Sequence, residues 1–466
     1  MAANPTVEGP ITGPGDPFVE STSFPLADVG YAQAEYFVAG TASAYVNVGD
    51  LGSDGAWTAA PASTAQYKTR IVVYRPIDAG KFNGSVIVEW LNVSGGLDAA
   101  PDWTAMHTEL ARQGYAWVGV SAQATGIGPR QGSGPIPGLP DLTLKGVNPQ
   151  RYGSLSHPGD SFSYDIFSQV GQAIRHPVGI DPLEGLSRAR IIAVGESQSA
   201  FRLVTYVNAI HPLADVYDGF LIHSRGGSGA ALSQAPQPQV AAPQVAHIRD
   251  DLGVPVLVFE TETDLITLGY LPDRQPDGPL FRLWEVAGTA HADTYTLSVG
   301  AGDEGNSPAV ADIVVTASPI PGIIMCGSPI NSGPQHWVLK AAIAALDRWI
   351  GGGEAPPTAP RLETAGDPPA YVLDDLGNVR GGIRTPYVDA PIATLSGLGQ
   401  TGSSFCGIFG TTVPFDATTL AALYPTHDAY ATAVTAATDR AVAAGFLLEP
   451  DAQLIEAAAA ASDVGG

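Results

Sequence analysis

Three residue types that together can perform nucleophilic catalysis follow one another in this chain: a serine, a carboxylate and a histidine. Ser197 comes just after the apolar run 191–195, and a helical pattern begins at once with Ala200. A serine at such a sharp strand-to-helix turn is lifted out of its sheet and held at the helix N-terminus. An unactivated serine needs a base to take its proton and a carboxylate to orient that base. The sequence therefore predicts Ser197 as a nucleophile.

The turn around Ser197 departs from the usual G-x-S-x-G pattern at its last position. Gly195 occupies the first position, but Ser199 occupies the last. Small residues are favoured there because the backbone reverses tightly beside the nucleophile. Serine is small enough where the packing is not extreme, so we interpret the segment as a variant of this turn. The alternative is an ordinary loop in which Ser197 caps a helix.

Three carboxylates compete for the role of the acid after the predicted strand 254–260. Glu260 ends that strand, Glu262 follows it, and Asp264 lies one turn beyond. The order nucleophile, acid, histidine occurs in one class of hydrolases, and its acid usually falls in the loop after a strand. This placement favours Asp264, with Glu262 second. The alternative is that these carboxylates cap the next helix or face solvent.

His291 is the favoured base among the nine histidines of the chain. It follows the last predicted strand in a short Gly-Thr-Ala-His turn, after the serine and the acid. His107 falls within a helical pattern and His211 ends one, so we expect structural roles for both. His223 lies just past another predicted strand and is predicted to contribute to substrate binding, as is Asn92.

Backbone N–H groups near Ser197 are predicted to form an oxyanion hole, which stabilises the negative charge on an attacked carbonyl. One donor is expected from Gln198, at the start of the helix. The second is expected from Val93 or Ser94, because the Gly-Gly pair that follows them gives the loop freedom to turn inward. The alternative is a simple turn at the end of a strand.

The elements that would position these residues alternate between strands and helices. Strands are predicted at 67–76, 85–92, 115–121, 190–195, 217–223, 254–260 and 281–286, and helices at about 100–113, 163–175, 245–251, 337–350, 428–445 and 450–462. This alternation is typical of an α/β fold with a mostly parallel central sheet flanked by helices. Because parallel strands end at one edge of the sheet, the candidate residues are expected to meet there.

Other segments are predicted to surround this catalytic domain, which spans residues 67–350. Residues 1–66 are expected to form an N-terminal wrap and the first strands. Residues 351–466 are too polar and loop-rich for a large core of their own, so we expect an extension packed on the catalytic domain. Long Gly/Pro-rich insertions at about 122–160 and 224–243 are expected to cover the site and set its specificity.

Length, composition and charge exclude several classes of protein. With 466 residues, 45% of them hydrophobic, the chain can bury a large core. The net charge of −24 argues against nucleic acids and anionic membrane surfaces as partners. No stretch approaches the roughly 20 apolar residues of a membrane span. No secretory signal is visible, so we expect a cytoplasmic protein, or a secreted one if the sequence is a mature form.

The two cysteines, Cys326 and Cys406, lie far apart in the chain. Neither has the spacing of a metal ligand, so no zinc site is predicted. Two interpretations remain open: buried free thiols, or one disulfide that ties the C-terminal segment to the body of the protein.

Across roughly residues 67–350 the chain resembles the α/β-hydrolase superfamily. It is more narrowly similar to a group of bacterial α/β hydrolase domain proteins that carry a Gly-Glu-Ser-Gln-Ser turn at the nucleophile. That similarity extends to the segments 380–386 and 406–410 of the C-terminal region. The resemblance implies an α/β-hydrolase fold and a serine hydrolase with Ser197 as nucleophile and His291 as base.

Together these observations predict an esterase that cleaves small-molecule carboxylic esters through an acyl-serine intermediate. Ser197, His291 and Asp264 would form its catalytic triad, and no metal or organic cofactor is expected. The same site could instead transfer the acyl group to an alcohol or act as a lyase, since a fold does not fix the reaction. A non-catalytic binding protein on a hydrolase scaffold is the remaining alternative.

Overall fold

The computed structural model describes residues 2–128, 140–403 and 405–466. The strands are β1 (Thr6–Glu8), β2 (Tyr31–Asn47), β3 (Ala59–Pro76), β4 (Ser85–Trp90), β5 (Ala116–Val120), β6 (Arg190–Glu196), β7 (Gly219–His223), β8 (Val256–Glu260), β9 (Phe281–Glu285), β10 (Thr364–Ala365), β11 (Ala370–Tyr371), β12 (Ala393–Ser396) and β13 (Thr411–Pro414).

The α-helices are α1 (Pro101–Gln113), α2 (Ala124–Ile127), α3 (Leu144–Val147), α4 (Pro149–Tyr152), α5 (Ser163–Arg175), α6 (Gln198–Thr205), α7 (His211–Ala214), α8 (Glu262–Ile266), α9 (Gln335–Ile350), α10 (Pro386–Asp389), α11 (Ala417–Leu423), α12 (His427–Ala443) and α13 (Glu449–Ala461). Short 3₁₀ turns lie at Leu26–Val29, Ala79–Lys81, Asp160–Phe162, Leu271–Asp273, Gly300–Gly302, Pro308–Ala311 and Cys406–Ile408, and π-helical turns at Tyr206–Ile210 and Tyr295–Val299.

The central sheet contains nine strands of the described chain, in the order β1-β2-β3-β5-β4-β6-β7-β8-β9. Strands β5, β4, β6, β7, β8 and β9 each pair in parallel with the next strand in this order. The pairs β1–β2, β2–β3 and β3–β5 are antiparallel. The predicted mostly parallel central sheet is therefore confirmed. The predicted strand 67–76 is the second half of β3, which forms a long hairpin with β2.

Strand β6 shows how the sequence pattern places the helices on both faces of the sheet. Ile191 and Ala193 belong to a core cluster that also contains residues of α5 and α6. Ile192 and Val194 belong to a second cluster, with residues of α1 and α9. Successive side chains of a strand point to opposite faces, so a continuous apolar run is what a doubly covered strand requires.

The prediction of a helix at about 245–251 is wrong, because two of the backbone N–H groups in this segment donate to side chains of a distant segment. The Ala246 N–H donates to Asp273 Oδ1 at 2.6 Å, and the Ile248 N–H donates to Gln275 Oε1 at 2.7 Å. The segment is irregular as a result.

The predicted insertion at 122–160 falls partly outside the described residues, since 129–139 are not among them. Its described part contains α2, α3 and α4. In the C-terminal region, α12 and α13 contribute to a core cluster that includes Trp337 of α9. These contacts attach the C-terminal region to α9. The domain boundaries at residues 66/67 and 350/351 stay a prediction.

Cys326 and Cys406 form a disulfide with a Cα–Cα distance of 5.5 Å, so the disulfide is the alternative that the structure contains. It joins the segment before α9 to the turn at Cys406–Ile408 in the C-terminal region. Within the described ranges, no helix combines the length and the apolar character needed to cross a membrane.

Candidate active site

Ser197 lies at the junction of β6 and α6, where the sequence predicts a sharp turn. Its backbone has φ +56° and ψ −120°, a conformation that costs free energy for a residue with a side chain. The Ser197 N–H donates to the carbonyl of His223 at 3.0 Å, which ties the turn to the end of β7. The turn thus holds the serine in one strained conformation.

Close packing explains the small residues on either side of Ser197. A Cβ atom added at Gly195 would lie 3.0 Å from Leu203 Cδ1 and 3.1 Å from Ser199 Cβ. A residue with a side chain at Gly195 would therefore push α6 away from β6. Ser199 fits because it is small and fully buried, and its hydroxyl has no hydrogen-bond partner among the described residues.

His291 lies between Ser197 and Asp264 and contacts both. Its Nε2 atom is 2.7 Å from Ser197 Oγ, and its Nδ1 atom is 2.7 Å from Asp264 Oδ1. Asp264 is oriented in turn by Thr261, whose backbone N–H and hydroxyl both donate to Oδ2 at 2.7 Å. The structure therefore brings the three residues predicted as a triad into one hydrogen-bonded series.

The other two acid candidates are bound elsewhere. Both carboxylate oxygens of Glu262 accept backbone N–H groups, from Gly288 at 2.6 Å and from Gly397 at 2.8 Å. Burial raises the Glu262 pKa to about 7, while these two N–H groups oppose the shift. Glu260 is fully buried, and neither of its oxygens has a hydrogen-bond partner in the described part of the chain. Of the three, Asp264 is the one that contacts His291.

Glu196 is a second carboxylate beside His291, and the sequence reasoning did not identify it. Its Oε1 atom lies 3.3 Å from His291 Nε2. Burial raises the Glu196 pKa to about 7, although His291 and His223 lower it. Its position directly before the serine was the available signal, but a strand-end carboxylate has many ordinary roles.

The pKa of His291 reflects opposing influences. Burial of the imidazole lowers its pKa, but the negative charge and hydrogen bond of Asp264, together with Glu196, outweigh burial and raise it. A raised pKa makes His291 a stronger proton acceptor. This suits a residue that takes a proton from Ser197 and holds a positive charge afterwards.

Asn92, predicted to bind substrate, instead fixes Glu196. Its Nδ2 group donates to Glu196 Oε2 at 3.0 Å and to the Glu196 carbonyl at 3.2 Å. Its Oδ1 atom accepts the Ser94 N–H at 2.8 Å. Both ends of the amide are bound within the protein and hold Glu196 in place, while the substrate-binding role of Asn92 stays a prediction.

The placement of Asn92 also separates the two candidates for the second oxyanion donor. The Ser94 N–H is bound to Asn92, whereas the Val93 N–H has no hydrogen-bond partner among the described residues. Val93 therefore remains the better candidate of the two. The Gln198 N–H, at the first position of α6, likewise has no acceptor within the described chain.

His223, also predicted to bind substrate, lies in the protein interior. Its Nδ1 atom is 2.8 Å from Asp102 Oδ1, and its Nε2 atom is 3.0 Å from Gln335 Nε2. It is not among the residues that line the cavity beside Ser197. Helices α1 and α9 cover this strand end and supply both partners of the imidazole, and the substrate-binding role of His223 stays a prediction.

A cavity of about 390 Å³ opens beside Ser197 and His291. Its described lining residues are Ser197, Gln198, Phe201, Arg202, Ala230, Leu268, His291 and Ile408. Ala230 comes from the predicted insertion 224–243, and Ile408 comes from the C-terminal region. The cavity is thus built by distant parts of the chain, which sequence spacing does not reveal.

The remaining features of the site concern metals and the other histidines. In the ranges that the structure describes, no group of three or more His, Cys, Asp or Glu residues is arranged to hold a metal ion. His107 is buried in α1, with its ring nitrogens next to the carbonyls of Thr104 and Asp303. His211 is buried in α7.

Comparison with known proteins gives one extensive match. The sequence matches the family model described as an α/β hydrolase domain over residues 7–457. No curated protein sequence matches the chain.

Solved structures show more distant similarities. A CE15 glucuronoyl esterase from Teredinibacter turnerae is 13% identical, covers 61% of this chain and 74% of its own, and has a TM-score of 0.29. A glucuronoyl esterase from Solibacter usitatus is 9% identical, covers 55% and 78%, and has a TM-score of 0.28. A fungal esterase from Rhizomucor miehei is 11% identical, covers 48% and 66%, and has a TM-score of 0.23.

Proposed function

The chain belongs to the α/β hydrolase domain family, and on that premise we propose that it is a serine hydrolase that cleaves carboxylic esters. The observation that carries this proposal is the hydrogen-bonded series Ser197, His291 and Asp264 at the wall of a cavity. A serine with a histidine at 2.7 Å, itself oriented by a carboxylate, is the arrangement that activates a hydroxyl for attack.

In the first half of the reaction, the ester carbonyl is attacked by Ser197. His291 Nε2 takes the hydroxyl proton as Oγ forms a bond to the carbonyl carbon, and Asp264 stabilises the resulting imidazolium. The tetrahedral oxyanion accepts hydrogen bonds from the N–H groups of Gln198 and Val93. When the intermediate collapses, the bond to the alcohol oxygen breaks and His291 returns the proton to the leaving alcohol.

In the second half, water releases the acid from the enzyme. His291 removes a proton from a water molecule that attacks the acyl-serine carbonyl, and the same N–H groups hold the second oxyanion. Collapse breaks the bond to Ser197 Oγ, which recovers its proton from His291. The products are a carboxylic acid and the free enzyme, so the cycle is closed with one water consumed.

The apolar part of the cavity wall favours a small acyl or alcohol group. Phe201, Ala230, Leu268 and Ile408 provide this surface next to Ser197. Substrate pockets for small molecules commonly have about 300–1,000 Å³, so the cavity of about 390 Å³ suits a compact ester.

Substitution of Ser197 by alanine tests the proposal, with a matched control in the same turn. Ser197→Ala is expected to lower kcat/KM for para-nitrophenyl butyrate by at least about 10³-fold, since removal of a catalytic nucleophile costs that much or more. Ser199→Ala removes a buried hydroxyl that has no described partner and is expected to retain most activity.

Both variants are compared with the wild type by circular dichroism and by their melting temperatures. Undiminished turnover in a folded Ser197→Ala protein would contradict the proposal. A wild-type protein that neither turns over the ester nor reacts with a fluorophosphonate would favour a non-catalytic binding protein.

A further inference from the structure

A charged side chain lies in the wall of the cavity, and no step of the proposed reaction uses it. Arg202 is on α6, five residues after Ser197, and is only 5% exposed. Among the described lining residues it is the one arginine or lysine, and its neighbours include the apolar Phe201, Leu268 and Ile408.

The guanidinium of Arg202 lies over the Tyr164 ring, 5.8 Å from its centroid, and its described hydrogen bonds are long. Nη2 lies 3.3 Å from Asp160 Oδ2 and 3.4 Å from Gln234 Oε1, and Nη1 lies 3.4 Å from Tyr164 Oη. Hydrogen bonds from a charged nitrogen to a carboxylate are commonly about 2.7–2.9 Å long. The buried Nε atom has no hydrogen-bond partner in the described part of the chain. Arg202 therefore has donor capacity that these neighbours do not use.

Other buried arginines are held more tightly. Arg151 donates to Glu35 at 2.6 Å, Arg70 donates to Asp98 at 2.6 Å, and Arg225 donates to a backbone carbonyl at 2.8 Å. Two nitrogens of Arg70 and one of Arg225 also have no described hydrogen-bond partner, but neither residue lines the cavity beside Ser197. The combination of long contacts and a place in the cavity wall is what sets Arg202 apart from these three.

We propose that Arg202 binds a carboxylate of the substrate, so that the ester cleaved at Ser197 carries an anionic group besides its scissile bond. This inference rests on the proposed ester hydrolysis and names its substrate class. A buried N–H without an acceptor costs free energy, which a substrate carboxylate removes. The planar guanidinium also matches a carboxylate through two parallel hydrogen bonds.

Helix geometry sets the approximate length of such a substrate. Five residues of an α-helix rise about 7.5 Å along its axis, so the carboxylate must be separated from the scissile carbonyl by a short chain. Phe201 and Leu268 supply an apolar surface for that chain. A half-ester of a short dicarboxylic acid has a carboxylate at such a distance from its scissile carbonyl.

Asp160 limits how strongly a substrate anion is attracted. Its carboxylate, 3.3 Å from Arg202, partly neutralises the guanidinium, and its other oxygen accepts the Ala124 N–H at 2.9 Å. The selectivity of the site then comes mainly from directional hydrogen bonds. A lysine in place of Arg202 would keep the charge but lose the planar pair of donors.

Two esters with acyl chains of equal length test the proposal: para-nitrophenyl hemiglutarate, which ends in a carboxylate, and para-nitrophenyl valerate, which ends in a methyl group. The wild type is expected to favour the hemiglutarate by at least about 10-fold in kcat/KM. Arg202→Gln should lower kcat/KM for the hemiglutarate by about 10- to 100-fold, mainly through KM. The valerate should change by less than about 3-fold, and Arg202→Lys should fall between the wild type and Arg202→Gln.

Ser197→Ala supplies the uncatalysed rate of each ester, which is subtracted. Equal or better turnover of the valerate by the wild type would overturn the role of Arg202 while leaving ester hydrolysis intact. An equal loss for both esters in Arg202→Gln would overturn it as well. Failure of the wild type to cleave either ester would instead count against the proposed function.

A second measurement covers the case in which Arg202→Gln does not fold. Free glutarate should inhibit valerate turnover by the wild type at a concentration at least about 10-fold lower than the neutral diamide glutaramide does. Equal inhibition by the acid and the diamide would overturn the proposal.

Discussion

The described part of the chain contains two histidine–aspartate pairs, each with its histidine at or just after the end of a strand of the same sheet. His291 follows β9 and contacts Asp264 at 2.7 Å, while His223 ends β7 and contacts Asp102 at 2.8 Å. In both, Nδ1 faces the carboxylate. The difference lies at Nε2, which meets the Ser197 hydroxyl in one pair and the Gln335 amide in the other.

A histidine–carboxylate pair is therefore not by itself a catalytic site. The His223 pair is enclosed by α1 and α9, whereas His291 lines the cavity beside Ser197. The His223 carbonyl nevertheless accepts the Ser197 N–H, so the interior pair supports the backbone of the proposed nucleophile. We therefore expect substitutions in the first pair to act on turnover, and substitutions in the second to act on stability.

The largest expected difference is between the two histidines. His291→Asn should lower kcat/KM for para-nitrophenyl butyrate by at least about 10³-fold, because the variant lacks the proposed base for Ser197. His223→Asn should lower kcat/KM by less than about 10-fold. Its main effect should be a loss of about 1–3 kcal/mol in the free energy of unfolding, since Asp102 loses its imidazole partner.

Steady-state kinetics and urea denaturation of both variants measure these two effects. A His223→Asn protein that is stable but inactive would break the distinction between the pairs.

A smaller difference is expected between the two aspartates. Asp264→Asn keeps an oxygen for Thr261 but no longer fixes the orientation and charge of His291, so kcat should fall by about 10²- to 10⁴-fold. Asp102→Asn should leave kcat within about 10-fold of the wild type while lowering the melting temperature. Similar losses of kcat in the two variants would show that both pairs take part in the reaction.

The smallest predicted effect concerns Glu196, which lies next to His291. His291 must be neutral to accept a proton, so kcat/KM falls as the pH drops through its raised pKa. Because Glu196 is one of the groups that raise this pKa, Glu196→Gln should move the acidic limb of the pH profile to lower pH.

The pH dependence of kcat/KM from pH 5 to 9 measures the position of that limb. The distant control Glu184→Gln, which replaces a partly exposed carboxylate paired with Arg75, should leave the limb in place. An unchanged limb in Glu196→Gln would show that Glu196 does not act on His291.

The positions of Ser197, Asp264 and His291 were accessible from the sequence because of the geometry of parallel sheets. Each lies within a few residues of a strand end, and parallel strands bring these ends to one edge. A local pattern therefore sufficed to place all three near one another, although not to give the distances between them.

Other features depend on contacts that no local pattern encodes. His223 also ends a strand, yet the helices that cover it come from before and after it in the chain. Asn92 follows β4 and contacts Glu196 at the end of the neighbouring strand β6. Arg202 follows Ser197 on the same helix, but its place in the cavity wall depends on the neighbours Ala230 and Ile408.

The most direct test of the central claim is the site of covalent modification by a fluorophosphonate, measured by intact-protein mass spectrometry followed by peptide mapping. We predict a single adduct on Ser197, absent in Ser197→Ala, strongly slowed in His291→Asn and formed at a near wild-type rate in His223→Asn. An adduct on another residue, or no adduct on a folded wild-type protein, would contradict the account.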